Sequence, residues 1–402
     1  MADVGALRQA LVEHLKQEGS IRTAAVERVF VSVPRHVFVP QASVEEAYAD
    51  RVVRIKEQNG NLLSSCSQPA IIAEMLEQLA VSAGNRILEI GTGSGYTAAL
   101  LAALTGPHGS VTTIDIEADL VGAAREHLDT AGFTAVKTLV GDGALGDCES
   151  APFDRILLTA SSTDIAAAWW EQLASDGRLV MPLSLKGVQK SVAFARRDAT
   201  LISETMIDCG FILLRGMDQS SDHIYTLSRE PPVFLAADHT VEVDRPALAQ
   251  RLLSERPIET TVPITVNPRE LLASLATWLG FKEPCSCKLE THGEDLLHLP
   301  TITRRSFDYR LSVGLCARDT VVLLHLDNKL RVYRFGPRES LAQRLADRLL
   351  EWDRLGRPGS ANVRIVAMPR SNRDPATLAL ADEILERPHT TFCLMRRDSA
   401  TN

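Results

Sequence analysis

Residues 88–96 read LEIGTGSGY. With the two residues before them they give RILEI (86–90), a short apolar strand, and then GTGSG (91–95), a glycine loop. YTAALLAAL (96–104) continues as a helix. A strand that ends in glycines and opens a helix lets a ligand approach the backbone and meet the positive helix N-terminus. The spacing is G-x-G-x-G, not the G-x-G-x-x-G of dinucleotide binders. The same rhythm continues outward. SVTTID (110–115), VKTLV (136–140), FDRILLTA (153–160) and GRLVMPL (177–183) are further strands, with helices over 117–130 and 164–174. Strand–helix alternation predicts an α/β protein, a Rossmann-like doubly wound sheet covered on both faces.

On the N-terminal side, Leu7, Leu11 and Leu15 mark a helix over 4–18, and a second spans 22–31. PRHVFVP (34–40) breaks it. Residues 41–68 read as an irregular acidic lid with a turn at Asn59-Gly60-Asn61, and 70–80 return to helix. Beyond Gly216 the alternation stops. Helical pieces are expected at 245–254 and 268–279, and a hairpin over 320–335 turning near Asp327-Asn328. An amphipathic helix over 338–355 carries Leu341, Leu345, Leu349 and Trp352 on one side, a packing face. Strands are expected at 363–369 and 390–396. Three segments result: N-terminal helices and lid (1–80), a ligand-binding core (81–216) and an α+β C-terminal domain (217–402), with the last boundary in the polar stretch 217–245.

The 402 residues are 45% apolar and 23% charged, ordinary for a protein with a sizeable core. No apolar run approaches the ~20 residues that span a bilayer, and the N-terminus lacks the basic-then-apolar pattern of a secretory signal. Neither a membrane nor a secretory route is expected. Seven cysteines, an odd number, read as free thiols in a reducing cytoplasm. Cys285-Ser286-Cys287 lacks a second ligand pair, so no metal is expected. The net charge of −8 lies in residues 1–216, with 18 Lys and Arg against 26 Asp and Glu; residues 217–402 hold 25 of each. Neither part has a basic stripe, which excludes nucleic acid as the main partner.

Glu89, just before the loop, would repel a pyrophosphate. It suits a ligand bearing an ammonium and a sulfonium, such as S-adenosylmethionine. Asp115 ends the second strand, 24 residues past Gly91, where a carboxylate accepts both ribose hydroxyls or caps the next helix. Asp142, in Gly141-Asp142-Gly143, either accepts from an adenine amino group or forms a turn. Asp154 reads as structural, Trp169-Trp170 as packing, and His36 as part of its turn. The cofactor set is then Glu89, Gly91, Thr92, Gly93, Gly95, Tyr96, Asp115, Gly141, Asp142 and Gly143.

From Val33 to Gly216 the chain resembles the protein-L-isoaspartate O-methyltransferase family. The resemblance is carried by PRHVFVP, Tyr48-x-Asp50, Ser67-Gln68-Pro69, LEIGTGSGY, GDG, APFD, GRLVMP and GFILLRG (210–216). It implies a class I S-adenosylmethionine-dependent methyltransferase and, as partner, a peptide or protein bearing aspartate or isoaspartate. The family's Thr-Ile-Ser-x-Pro substrate motif falls on Ser65-Cys66-Ser67-Gln68-Pro69. That makes Ser67 the catalytic residue that meets the acceptor carboxylate, with Ser65, Gln68 and Pro69 at the substrate. The competing role for Ser67 is a cap for helix 70–80. Departures from the family pattern fall at the lid, at Ala160-Ser161-Ser162 and at Ser184, all on the acceptor side. The extension resembles, more loosely, the branch found beside ribosomally made, modified peptides, including the FxLD-type methyltransferases. This implies methylation of one aspartate in a cyclised precursor peptide, followed by closure to a succinimide (aspartimide). The alternatives are a general isoaspartyl repair enzyme and a non-catalytic peptide-binding protein with a relic methyltransferase fold.

Overall fold

The computed structural model describes residues 3–58, 61–186, 188–216, 223–238, 240–292, 299–305, 309–327 and 329–396. Asn59, Gly60 and Asn328, of the two expected turns, lie outside the described residues, as do 217–222 of the expected boundary.

Arg86–Ile90 is a central strand because it is apolar on both sides: Ile87, Leu88 and Ile90 are buried. The alternation of side chains divides them. Ile87 packs into the core under the N-terminal helices, while Leu88 and Ile90 enter the core on the opposite face. The strand pairs in parallel with Ser110–Asp115 on one side and Phe153–Leu158 on the other. Lys137–Val140 and Leu173–Leu185 extend the parallel sheet outward. The chain order thus reverses at strand 86–90, and its C-terminal end opens a crevice where ligands bind in such sheets.

The expected alternation ends earlier than residue 216. Leu173–Leu185 turns back into Val188–Arg197 and Thr200–Asp208, a long antiparallel pair. Three strands from the end of the chain then complete the sheet. Val363–Pro369 pairs with Thr200–Asp208, Thr390–Arg396 with Val363–Pro369, and Glu383–Glu386 with Thr390–Arg396, for ten strands among the described residues. Residues 217–402 are therefore not one unit. Among the described residues, the middle of the extension builds its own sheet, eight antiparallel strands between His223 and Phe335. Helix Arg245–Ser254 covers one face of it, and helices Ala276–Lys282 and Glu339–Arg354 the other. The last of these buries Leu341, Leu345, Leu349 and Trp352, the expected packing face.

The returning strands are bonded into the core. Trp170 Nε1 donates to Thr390 Oγ1 at 3.3 Å, and Asp164 Oδ2 accepts from His389 N at 2.8 Å. Phe392, fully buried, packs with Phe194, Leu201 and Ile365. Phe392→Ala should cost about 3–5 kcal/mol, as expected for a large buried aromatic side chain. Urea unfolding checks this, and a loss near zero would mean the terminal strands are not integral to the sheet.

Candidate active site

The loop after strand 86–90 is shaped by lack of room. Gly91 has φ +104°, and a Cβ there would lie 2.5 Å from Thr159 Oγ1. Thr159 Oγ1 donates to Gly91 O at 2.7 Å, and Gly91 N donates to Ile114 O at 2.8 Å, so the turn is held from both neighbouring strands. Gly93 N donates to Asp115 Oδ2 at 3.1 Å, and Asp115 Oδ1 accepts from Glu117 N at 3.2 Å. Gly143 comes so close to Ile90 that a Cβ would meet its Cγ2 at 2.4 Å. Trp169 Nε1 fixes that turn by donating to Gly143 O at 2.9 Å, which gives the buried tryptophan a task beyond packing.

Glu89 is fully buried beneath the loop. Its Oε2 accepts from Thr113 Oγ1 at 2.7 Å, while Oε1 has no partner. Burial pushes its carboxyl up to about 8; the Thr113 hydrogen bond opposes this, and the Asp115 charge adds to the rise. A buried carboxylate oxygen without a partner favours a cationic or hydrogen-bond-donating ligand nearby.

The lid is more regular than expected. Val53–Gln58 and Asn61–Cys66 form an antiparallel hairpin with an irregular register. Lys56 anchors it by ion pairs to Glu117 and to Asp119, the latter at 2.7 Å. Glu117 also pairs with Arg215 of the closing segment. At the base of the hairpin, the buried guanidinium of Arg35 donates to Ala47 O and Ser67 O, both at 2.9 Å, and lies over the Tyr96 ring. Helix Pro69–Leu79 is capped by Asp50, not Ser67. Asp50 accepts from Ala70 N at 2.9 Å and from Gln68 Nε2 at 2.8 Å. The capping role expected as the rival for Ser67 is thus filled, and the Ser67 side chain is left to the cleft.

One cleft of about 840 Å³ gathers the acceptor-side residues Ser65, Ser67 and Gln68 with Gly91, Thr92, Gly93, Asp115 and Gly143. The remaining expected residues lie behind its wall. Glu89 is below the loop, and Gly95 packs against Ala124 and Leu128. Tyr96 sits between Phe30, Phe38 and Arg35, in the core. Pro69 is buried at the first turn of its helix. Asp142 caps the short turn 143–145 by accepting from Ala144 N at 2.9 Å and faces the Gly216 backbone. Asp154 is structural, accepting from Arg86 N at 2.7 Å, and His36 is bonded to Tyr48 at 2.9 Å.

Sequence reading missed Thr159, Gln189, Asp208 and Phe211, all on the cleft. Phe211 lay within the quoted GFILLRG without being singled out, and no motif marked the other three. It also missed Ile116, for which a signal existed, its place directly after Asp115. The two serine departures explain each other: Ser161 and Ser184 are buried and hydrogen-bonded, Oγ to Oγ, at 3.0 Å.

A glycine loop at the switch point of a parallel sheet, an acidic residue ending the next strand and an antiparallel closing pair define a class I S-adenosylmethionine-dependent methyltransferase. The residues fit its cofactor: a bare backbone turn, a carboxylate at the strand end and a buried carboxylate with one oxygen unmatched. A model of the protein-L-isoaspartate(D-aspartate) O-methyltransferase family matches residues 6–219, and the chain belongs to that family. The protein-L-isoaspartate O-methyltransferase of Methanopyrus kandleri is 40% identical over 184 residues, 46% of this chain and 79% of that protein. That of Methanococcus aeolicus is 36% identical over 208 residues, 52% of this chain and 94% of that protein. A solved protein-L-isoaspartate O-methyltransferase structure is similar in fold at a TM-score of 0.51 and 22% identity, covering 89% of this chain and 96% of that one. The chain is a methyltransferase, and its cofactor is S-adenosylmethionine.

Two outcomes follow from the cofactor wall. Asp115→Ala should weaken S-adenosylhomocysteine binding by roughly 1.5–3 kcal/mol, the worth of a hydrogen bond to a charged group. Calorimetry checks this, and unchanged affinity would remove Asp115 from the ribose. Glu89 has a folded-state pKa above its ordinary 4.5, so its contribution to stability is full below that range and is lost as pH rises through about 8. Glu89→Gln should therefore melt above the unsubstituted protein at pH near 8, by roughly 5 °C. The gap should shrink toward acid pH, and thermal melts in the absence of cofactor test it.

Proposed function

We propose that this protein transfers the methyl group of S-adenosylmethionine to the carboxylate of an isoaspartyl or aspartyl residue in a peptide or protein. The observation that carries the reading is that Ser67 and the Gly91–Gly93 and Asp115 wall line a single cleft. S-adenosylmethionine, when bound, supplies an electrophilic methyl group on a sulfonium. Asp115 would hold the ribose and Gly143 would border the adenine, while Glu89 lies beneath the loop with one oxygen unmatched. The acceptor carboxylate is already ionised at neutral pH, so no general base is required. What the chain must supply is alignment and partial removal of water. The Ser67 hydroxyl orients the carboxylate without a competing charge. Arg35, through the Ser67 carbonyl, fixes where that hydroxyl stands. The hairpin lid, anchored by Lys56, keeps water from the reacting atoms.

Two acceptor classes remain, and each has a supporting observation. General isoaspartyl methylation matches the names of the relatives. The extension does not argue against it, because a protein of that name shares its fold over 89% of this chain. A dedicated aspartyl peptide is favoured by the rewritten acceptor side, the Ser65-Cys66-Ser67 lid and the Ser161–Ser184 contact. In that case the methyl ester is attacked by the next backbone nitrogen and methanol leaves. The succinimide is then lighter than the starting peptide by one water.

Mass spectrometry on unrelated isoaspartyl peptides and on constrained aspartyl peptides, under equal conditions, separates the classes. Turnover of the former supports the general enzyme, and dehydration confined to the latter supports the dedicated one. Ser67→Ala should keep cofactor affinity and lose methyl transfer by about 10–100-fold, the worth of one hydrogen bond to a charged acceptor. Turnover near that of the unsubstituted protein would leave Ser67 without a catalytic role.

A further inference from the structure

The second sheet reaches the methyltransferase cleft along one face. Ser286–His292 and Tyr309–Ala317 pair so that Lys288 lies opposite Val313 and Glu290 opposite Leu311. Alternate residues of a strand point to one side, so these four share a face, and all four line the cleft that holds Ser67. The alternate residues Cys287 and Leu289 point the other way, into the unit's own core. Leu311 and Val313 are buried, whereas Lys288 and Glu290 are each a quarter exposed, with Nζ 2.5 Å from Oε1.

Packing does not call for charge here. The other residues that the second unit brings to the cleft, Ala276, Leu311 and Val313, are apolar, and removing two charges from water is costly even when they are paired. A paired cation and anion set side by side in an otherwise apolar wall make a fixed dipole facing whatever enters the cleft. Their order along the strand gives that dipole a direction.

We propose that Lys288 and Glu290 are specificity determinants for the acceptor: they read the charged side chains flanking the residue to be methylated, an acidic flank at Lys288 and a basic flank at Glu290. This rests on the carboxyl methyltransferase reading above and names the part of the chain that selects the peptide. Electrostatic complementarity of this kind sets orientation and rejects the wrong charge order.

The test uses the full chain and two peptides with the same isoaspartyl acceptor. One carries Glu before and Lys after it, and the other the reverse. The unsubstituted protein should prefer one order in kcat/KM, and the preference should weaken as salt is raised. The double exchange Lys288→Glu with Glu290→Lys keeps an ion pair and should invert the preference, shifting the ratio by about tenfold. Lys288→Met with Glu290→Gln, which keeps size without charge, should abolish it. S-adenosylhomocysteine affinity should stay the same in both variants. The same ratios are read without turnover as peptide affinity, by fluorescence anisotropy with S-adenosylhomocysteine present. Identical ratios in all three proteins would overturn the proposal. Inverted affinity ratios with no methylation of either isoaspartyl peptide would uphold it and overturn the general isoaspartyl reading instead.

Discussion

The contact between Asp115 Oδ2 and Gly93 N, at 3.1 Å, joins two neighbouring strands at the point where the sheet opens, and the cleft is arranged around it. The other oxygen of Asp115 holds the backbone of Glu117. The Glu117 side chain in turn pairs with Lys56 of the lid hairpin and Arg215 of the closing segment. Cofactor wall, lid and closing segment are thereby linked through two acidic residues two positions apart. The lid and the exit segment, far apart in sequence, depend on the same helix N-terminus for their positions.

The parallel half of the sheet was legible because its signals are local. RILEI followed by GTGSG declares a strand, a turn and a helix within a few residues, and buried parallel strands leave continuous apolar runs. Asp115 was marked by its place at the end of the second strand and Ser67 by the family motif at 65–69, and both line the cleft. What could not be read depends on distant partners. The lid hairpin is polar, and its order comes from Lys56 meeting Glu117 and Asp119 across the fold. The cap on helix Pro69–Leu79 comes from Asp50, outside the helix and its flanks. Strands Val188–Arg197 and Thr200–Asp208 have no helix between them, so a search for strand–helix alternation passes over them. Tyr96 belongs to the glycine-loop segment in sequence, but its ring completes the packing around Arg35.

The acceptor side shows how departures from a family pattern can be coupled. A lone buried serine hydroxyl is costly when unpaired. Ser161 and Ser184, on adjacent segments, satisfy one another, with Gln189 close by on the cleft. Two substitutions that look independent in the sequence are one structural change.

The returning strand Val363–Pro369 has a further consequence. It lies beside Thr200–Asp208 and runs antiparallel to it, so residue 208 and residue 363 are at the same end of neighbouring strands. Such strands are about 4.8 Å apart. Topologically, the second sheet is a domain inserted between two adjacent strands of the first: the chain leaves along the closing segment, bonded to Ser161 and Glu117, and returns at Val363. A domain on a single linker swings freely; one tethered at two separate points is held far more narrowly. The wall it presents to the cleft is thus restricted to a narrow range of orientations.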